Sequence, residues 1–429
     1  MSSTSNAEAA LQAARARFIA RNPNSKRIHE DATRSLPGGN TRSVLHTAPF
    51  PVAMKRGRGY HVVDEDDHEY VDFVGEFTAG LYGHSQPVIV ETLHKTIEQV
   101  GLNLGACTAL EVQYAKLLCE RFRLDRVRFC NSGTEANLHA LAAARRSTGR
   151  KKVVVFEGGY HGAVLGFGHG VAANNVDAGD WVLARYNDVD SARAAIGETA
   201  DVAAVLVEGM QGAGGCIPAR RDFLLAVQEA AAKAGAVLIL DEVMTSRLSP
   251  GGLQSMVGLS PDLTTLGKYL GGGLAFGAFG GREHVMRVYD PREQNALAHS
   301  GTFNNNTLAM HAGFAGLSRV YTPEASVSLT RVGEDLLRRL RTVTQGTKAT
   351  FTGMGSIMSL HITDSGVCDA GEREDLKELF WLEMMESGFW ITRRGMLALI
   401  LDTPQADLDR FVDTVSAFLQ RHGELLAVA

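Results

Sequence analysis

Residues 264–281 read TTLGKYLGGGLAFGAFGG, with Lys268 the single charge among seven glycines. Its flanks are apolar and no acid stands beside it in sequence, so its amine is easily deprotonated and able to condense with a carbonyl, as Schiff-base chemistry requires. A solvated lysine in a relaxed glycine loop is the plainer alternative. A phosphate-binding P-loop is excluded, because it needs glycine at 262 and Asp262 stands there. Three other short stretches carry candidate chemistry. In NSGTEAN, Ser132-x-x-Glu135 has the form of a capping box, and the same turn of Ser132, Gly133 and Thr134 offers backbone amides, hydroxyls and a positive helix end to a phosphate. In EGGYHG, Tyr160 stands beside glycines, where a ring can lie flat on a planar ligand or simply pack over a loop. Asp241 ends the apolar run AVLILD, where it caps the next segment or, if buried, demands a cationic or N–H partner such as a pyridinium nitrogen.

In chain order these are a phosphate turn, a stacking ring, an acid for a ring nitrogen and a lysine. Holding pyridoxal 5'-phosphate (PLP) requires those four things: an anchored phosphate, a sandwiched ring, a protonated ring nitrogen and an amine for the aldehyde. Each is weak alone; the ordered set is specific.

The elements that must position them follow from the apolar pattern. RVRFC (126–130), KVVVF (152–156), AAVLVE (203–208), AVLILD (236–241) and the stretch around 278–281 read as buried strands, separated by helical patterns such as EANLHALAAARRS. An α/β domain with a mostly parallel sheet is expected, with ligands at the carboxyl ends of its strands. VVDEDDHEYVDF reads as a hairpin. After Thr322-Pro323 come a long helix, short β runs around 356–362 and 397–401, and a last helix from about Gln405. The expected division is 1–75, 76–322 and 323–429, with the outer two segments making a smaller α+β domain.

Composition excludes several classes. With a net charge of -5 and no basic run, a nucleic-acid partner is not expected. No run approaches the roughly 18 apolar residues of a membrane span, and the polar N-terminus lacks a signal peptide's apolar region, so the expected compartment is the cytoplasm. Five scattered cysteines without C-x-x-C spacing, and histidines without an H-E-x-x-H pair, give no expectation of a disulfide or a metal.

NSGTEAN, GGYHG, DEVMTSR, TTLGKYLGGG, FGAFGG and HSGTFNNN together resemble the class-III aminotransferases of PLP fold type I, in the branch that contains glutamate-1-semialdehyde aminomutase. PGGNTRSVL (37–45), YGHS (82–85), MQGAGGCIP (210–218), DEVMTSRL (241–248) and GTFNNN (301–306) are most similar to the β-phenylalanine aminotransferases of that branch. The resemblance implies that Lys268 holds the cofactor and moves the substrate proton, that Asp241 pairs with the ring nitrogen, and that Tyr160 and Val243 cover the two ring faces. Ser132, Gly133 and Thr134 would hold the phosphate, Glu208 would stand among the cofactor residues, and Thr302 would complete the phosphate site of a partner subunit in a homodimer. Arg42 would bind the substrate carboxylate, with Arg394 or the adjacent Arg393 as a second arginine. Phe77 stands where relatives carry tyrosine, and Gly209 follows Glu208 where much of the class has proline. The implied reaction takes the amino group of an aromatic β-amino acid such as (S)-β-phenylalanine to 2-oxoglutarate or pyruvate. The alternatives are the aminomutase, an amine:pyruvate transaminase, and a PLP-binding protein without turnover.

Overall fold

The computed structural model describes residues 3–173, 176–368 and 371–428. The chain forms two compact units, Met1–Gln86 with Arg331–Ala429, and Pro87–Thr330.

The Pro87–Thr330 unit is built on a seven-stranded sheet. Its strands are β1 (Arg126–Cys130), β2 (Lys152–Phe156), β3 (Trp181–Ala184), β4 (Val202–Glu208), β5 (Val237–Asp241), β6 (Leu263–Gly267) and β7 (Gly277–Gly281). Their order is β1-β7-β6-β5-β4-β2-β3. Only β7 runs against its neighbours β6 and β1. β4, β5 and β6 are buried along their whole length, as central strands of a sheet covered on both faces must be. Helix α1 (Gly133–Thr148) starts at Ser132, whose Oγ accepts from the Glu135 amide at 3.1 Å, and ends at Gly149 with φ +69°. Its buried residues are Ala136, Asn137, Ala140, Leu141, Ala143 and Ala144, and the four alanines are small enough to let the helix lie close on the sheet. Val153, Val155, Leu206, Ile239, Leu263 and Phe279 share one apolar core with it.

The apolar runs read from sequence all occupy strands, with ends shifted by at most a residue. β3 and β6 were not expected. Two of β6's five residues are threonines, and the glycines that follow make the run look like the start of a loop; inside the fold the Thr265 hydroxyl is satisfied by Asn137 Oδ1 at 2.8 Å.

The other unit joins the two ends of the chain. Met54–Arg58, His61–Asp64 and Glu69–Asp72 form an antiparallel meander, and Phe389–Trp390 adds to it in parallel. A second sheet contains Ala349–Met354, Ile357–Ile362 and Met396–Ala398. The helix Ser3–Arg21 packs on Glu374–Glu386, with Phe18 against Trp381 at 5.5 Å and Arg15 gripping Glu378 through two bonds of 2.6 and 2.8 Å. The divisions fall after Gln86 and Thr330, beyond the expected 75 and 322. Residues 76–86 stay with this unit because the chain just before them and within them is stitched to its C-terminal part: Ala398 N donates to Phe73 O at 2.8 Å and Leu401 N to Leu81 O at 3.0 Å. The second division lies within the helix Pro323–Thr344.

Candidate active site

In the Pro87–Thr330 unit the parallel strands deliver their carboxyl ends to one edge of the sheet, and the polar residues there converge. Asp241 and Glu208 are register partners at the ends of β5 and β4. Asp241 is 6% exposed, and its carboxylate accepts from Asn137 Nδ2 (2.8 Å) and the Val243 amide (3.0 Å), with His161 Nδ1 at 2.8 Å. Asn137 also donates to His161 O at 3.0 Å. Glu208 accepts from the amides of Tyr160 (2.9 Å) and Gly212 (3.0 Å). Burial pushes its carboxyl up to about 7, with nearby Asp241 adding to the rise and His161 opposing it. Glu242, also buried, is pushed up to about 7 for the same first reason.

Lys268 follows β6 directly, half-buried, with φ +57°. A lysine in the left-handed region carries backbone strain that the surrounding structure must hold, and such residues gather at functional sites. Two glycines nearby report how closely these segments approach, and at Gly133 the approach leaves no room for a side chain. A Cβ on Gly133 would sit 2.8 Å from Val243 Cγ1, and one on Gly267 would lie 3.5 Å from both Gly133 N and Val243 Cγ1. Val243, the N-terminus of α1 and the residue before Lys268 are thus packed together.

These residues fit PLP. The amides of Gly133 and Thr134 open α1, where a helix has no acceptor of its own for them and where anions are favoured. Asp241 is a buried carboxylate whose three neighbours fill only part of its roughly four acceptor positions, which suits a protonated ring nitrogen. Tyr160 is 47% exposed and is tied by its amide to Glu208, at the strand end beside Asp241.

In the other unit, Arg42, Phe77 and Arg394 come together. Arg42 Cζ and Arg394 Cζ each lie 5.6 Å from the Phe77 ring centroid, within cation–π range. Arg42 Nη2 also pairs with Glu76 Oε1 at 2.9 Å. Arg393 also lines the cavity described next but is bound to the buried Glu378 at 2.8 Å beside Arg15, so Arg394 is the arginine that joins Arg42 at Phe77. A cavity of about 1040 Å³ is lined by Arg42, Glu76, Phe77, His84 and Arg394. The backbone beneath it is unusual. Gly75, Glu76, Phe77 and Thr78 have φ of +50°, +46°, +53° and +79°, a left-handed run that costs roughly 1–2 kcal/mol for each residue with a side chain. Asp72, 2% exposed, holds the start of the turn by accepting from the amides of Val74 (2.8 Å) and Gly75 (3.0 Å), with His84 Nε2 at 2.9 Å on its other oxygen.

Thr302 is exposed, on a segment anchored two residues later by Asn131 Nδ2 donating to Asn304 Oδ1 at 3.1 Å. Sequence reasoning missed Asn137, Thr265, Asp72, Glu76 and His84. Asn137 had a signal, being a polar residue on the alanine face of α1. Glu76 had little, since nothing in GEFTAG announces three successive side chains at positive φ.

Comparison with known proteins identifies the family. Residues 43–416 match the family described as aminotransferase class-III. The chain is 48% identical over 434 residues to an uncharacterized aminotransferase of Schizosaccharomyces pombe, covering 100% of this chain and 99% of that one. It is 47% identical over 428 residues to the beta-phenylalanine transaminase of Variovorax paradoxus, covering 97% of each. A crystal structure of the beta-phenylalanine aminotransferase from that organism superposes with a TM-score of 0.94 over 99% of this chain and 100% of that one, at 46% identity. A glutamate-1-semialdehyde 2,1-aminomutase of Chloroherpeton thalassium is 33% identical over 409 residues, 89% of this chain and 94% of that one. The chain therefore belongs to the class-III aminotransferases and is a PLP-dependent transaminase.

Proposed function

We propose that this transaminase takes the amino group of an aromatic β-amino acid, such as (S)-β-phenylalanine, and passes it to 2-oxoglutarate or pyruvate in two half-reactions. When bound, PLP supplies the aldehyde that carries the amino group and a ring that draws electrons from the carbon bearing it. The chain's own residues do the rest. Ser132, Gly133 and Thr134 bind the phosphate at the start of α1. Asp241 keeps the proton on the ring nitrogen, and Asn137 and His161 keep Asp241 in place. Tyr160 and Val243 confine the ring, and Glu208 fixes the Tyr160 amide. Lys268 holds the cofactor and moves the proton at the substrate's β carbon.

Arg42 receives the donor's carboxylate, a planar anion that a guanidinium binds with fixed direction. The observation that carries the substrate reading is the placing of two guanidiniums at one aromatic ring. An aryl β-amino acid presents one carboxylate and a ring, and 2-oxoglutarate presents two carboxylates; Arg42, Phe77 and Arg394 offer contacts to both. The likeness to a relative named for β-phenylalanine supports the same choice.

A homodimer, with Thr302 completing the phosphate site of the partner subunit, belongs to this reading. Leu102 (61% exposed), Leu104 (52%) and Phe303 (57%) support it as apolar surface on two adjoining segments, since Thr307 Oγ1 donates to Gly101 O at 2.7 Å.

The test is an absorbance spectrum of the purified holoenzyme with racemic β-phenylalanine and no keto acid. Loss of the cofactor's visible band, restored by 2-oxoglutarate or pyruvate, is the expected result. A band that ignores β-phenylalanine but responds to glutamate-1-semialdehyde would replace this reading with the aminomutase.

A further inference from the structure

At the carboxyl ends of β4, β5 and β6, Glu208 stands in register with Asp241, and Asp241 with Thr265. Register neighbours on parallel strands point to the same face, and there Asn137 of α1 reaches both Asp241 and Thr265. Asn137 and Thr265 are 1% and 0% exposed, so water cannot take the place of either. The orientation of the Asn137 amide is fixed by chemistry. Its Nδ2 lies 2.8 Å from Asp241 Oδ2 and 3.0 Å from His161 O, a carboxylate and a carbonyl that only accept. Its Oδ1 therefore faces the other way and needs a donor, which is Thr265 Oγ1 at 2.8 Å. No step of the proposed reaction uses the Thr265 hydroxyl.

We infer that Thr265 is a positioning residue for the cofactor's acid: by donating to Asn137 Oδ1 it holds the Asn137 amide on Asp241, and so keeps the proton on the ring nitrogen that Asp241 serves. This rests on the reading of Asp241 as the ring nitrogen's partner. A carboxylate that accepts fewer N–H bonds holds a proton more readily, and here that proton would come from the ring. Without the Thr265 hydroxyl, Asn137 Oδ1 is a buried acceptor with no donor, and relieving it turns the amide away from Asp241. Position adds to this. Asn137 lies just beyond the phosphate-binding residues on α1, and Thr265 lies on the strand that leads into Lys268. A chain of hydrogen bonds thus ties together the segments that carry the phosphate turn, the acid and the lysine.

The test loads the enzyme with PLP isotopically labelled at the ring nitrogen, whose NMR resonance reports whether that nitrogen is protonated, and measures PLP affinity alongside by reconstituting the apoenzyme. Thr265→Val keeps the branched shape that suits a strand and removes the hydroxyl. It is expected to move the resonance toward the unprotonated position and to raise the Kd of PLP about three- to tenfold, the scale of one buried hydrogen bond. Thr265→Ser, which keeps the donor, is expected to hold both at their wild-type values. Thr265→Ala also lacks the hydroxyl and must reproduce the shift, which covers the case of a valine variant that does not fold; if neither folds, the hydroxyl serves folding and the inference falls. In an Asn137→Ala background Thr265→Val is expected to add no further shift, because Thr265 acts through Asn137. A resonance unmoved in Thr265→Val, a serine variant shifted as far as the valine one, or a full further shift on top of Asn137→Ala overturns the inference. Asp241→Asn separates the two levels. If it shifts the resonance while Thr265→Val does not, the Thr265 inference alone falls; if it leaves the resonance in place, the assignment of Asp241 falls and takes the inference with it.

Discussion

Asp241 and Arg42, the proposed partners of the cofactor's ring nitrogen and the substrate's carboxylate, are held by the protein in opposite ways. Asp241 is buried at the end of a central strand and held from three sides, by Asn137, His161 and the Val243 amide. Arg42 is half-exposed, held by one carboxylate and laid over one ring. The difference matches what each must do. A cofactor has one shape, so its acid is fixed and most of the cost of orienting it is met by folding. In the proposed reaction two substrates of unequal shape share the other region, where the cation keeps a single exposed partner.

Substitutions can break that contrast or sharpen it. The largest effect is expected from Lys268→Ala, which removes the proton carrier and should lower turnover of β-phenylalanine by at least about 10³-fold; near-normal turnover would take Lys268 out of the chemistry. Next is Asp241→Asn, which keeps the shape and removes the charge. A loss of about 10²–10³-fold in kcat, with KM little changed, is expected in steady-state assays. Arg42→Ala should do the reverse, raising KM for the β-amino acid about tenfold or more while PLP affinity stays put; a fall in kcat with an unchanged KM would erase the contrast between the two regions.

The last effect concerns stability. The Glu208 carboxyl rises from an ordinary 4.5 to about 7 because it is buried. Between those values the folded protein holds a proton that the unfolded chain has lost, so this contribution is full below about pH 4.5 and declines as pH rises through 7. Its steepest slope is about 1.4 kcal/mol per pH unit. Glu208→Gln should flatten the fall in Tm between pH 5 and 7.5, leaving the part due to Glu242, whose carboxyl is raised in the same way. An equally steep fall in the variant would show that Glu208 does not titrate there.

The same contrast explains what the sequence disclosed. The strands ending at Cys130, Phe156, Glu208 and Asp241 were legible because burial on both faces writes a continuous apolar run, and strand ends are where ligands sit. The polar residues following those runs were therefore singled out before any geometry. Strand β6 was hidden because Thr264 and Thr265 look polar, and Thr265 is satisfied only by a residue 128 positions away. The pairing of Arg42 with Arg394 depends on a turn that violates the usual sign of φ for three side chains, and no local pattern encodes that. Which of Arg393 and Arg394 joins Arg42 was decided by Glu378, whose two arginines come from distant parts of the chain.

Arg42, beside Arg394 at Phe77, is a half-exposed guanidinium with one exposed carboxylate on it. Its field reaches about 8 Å at physiological ionic strength, far enough to draw in an anion and near enough to be masked by salt. Chloride, phosphate and acetate are therefore standing competitors for the same place. Rates compared between two buffers will compare their anions as well as the enzyme.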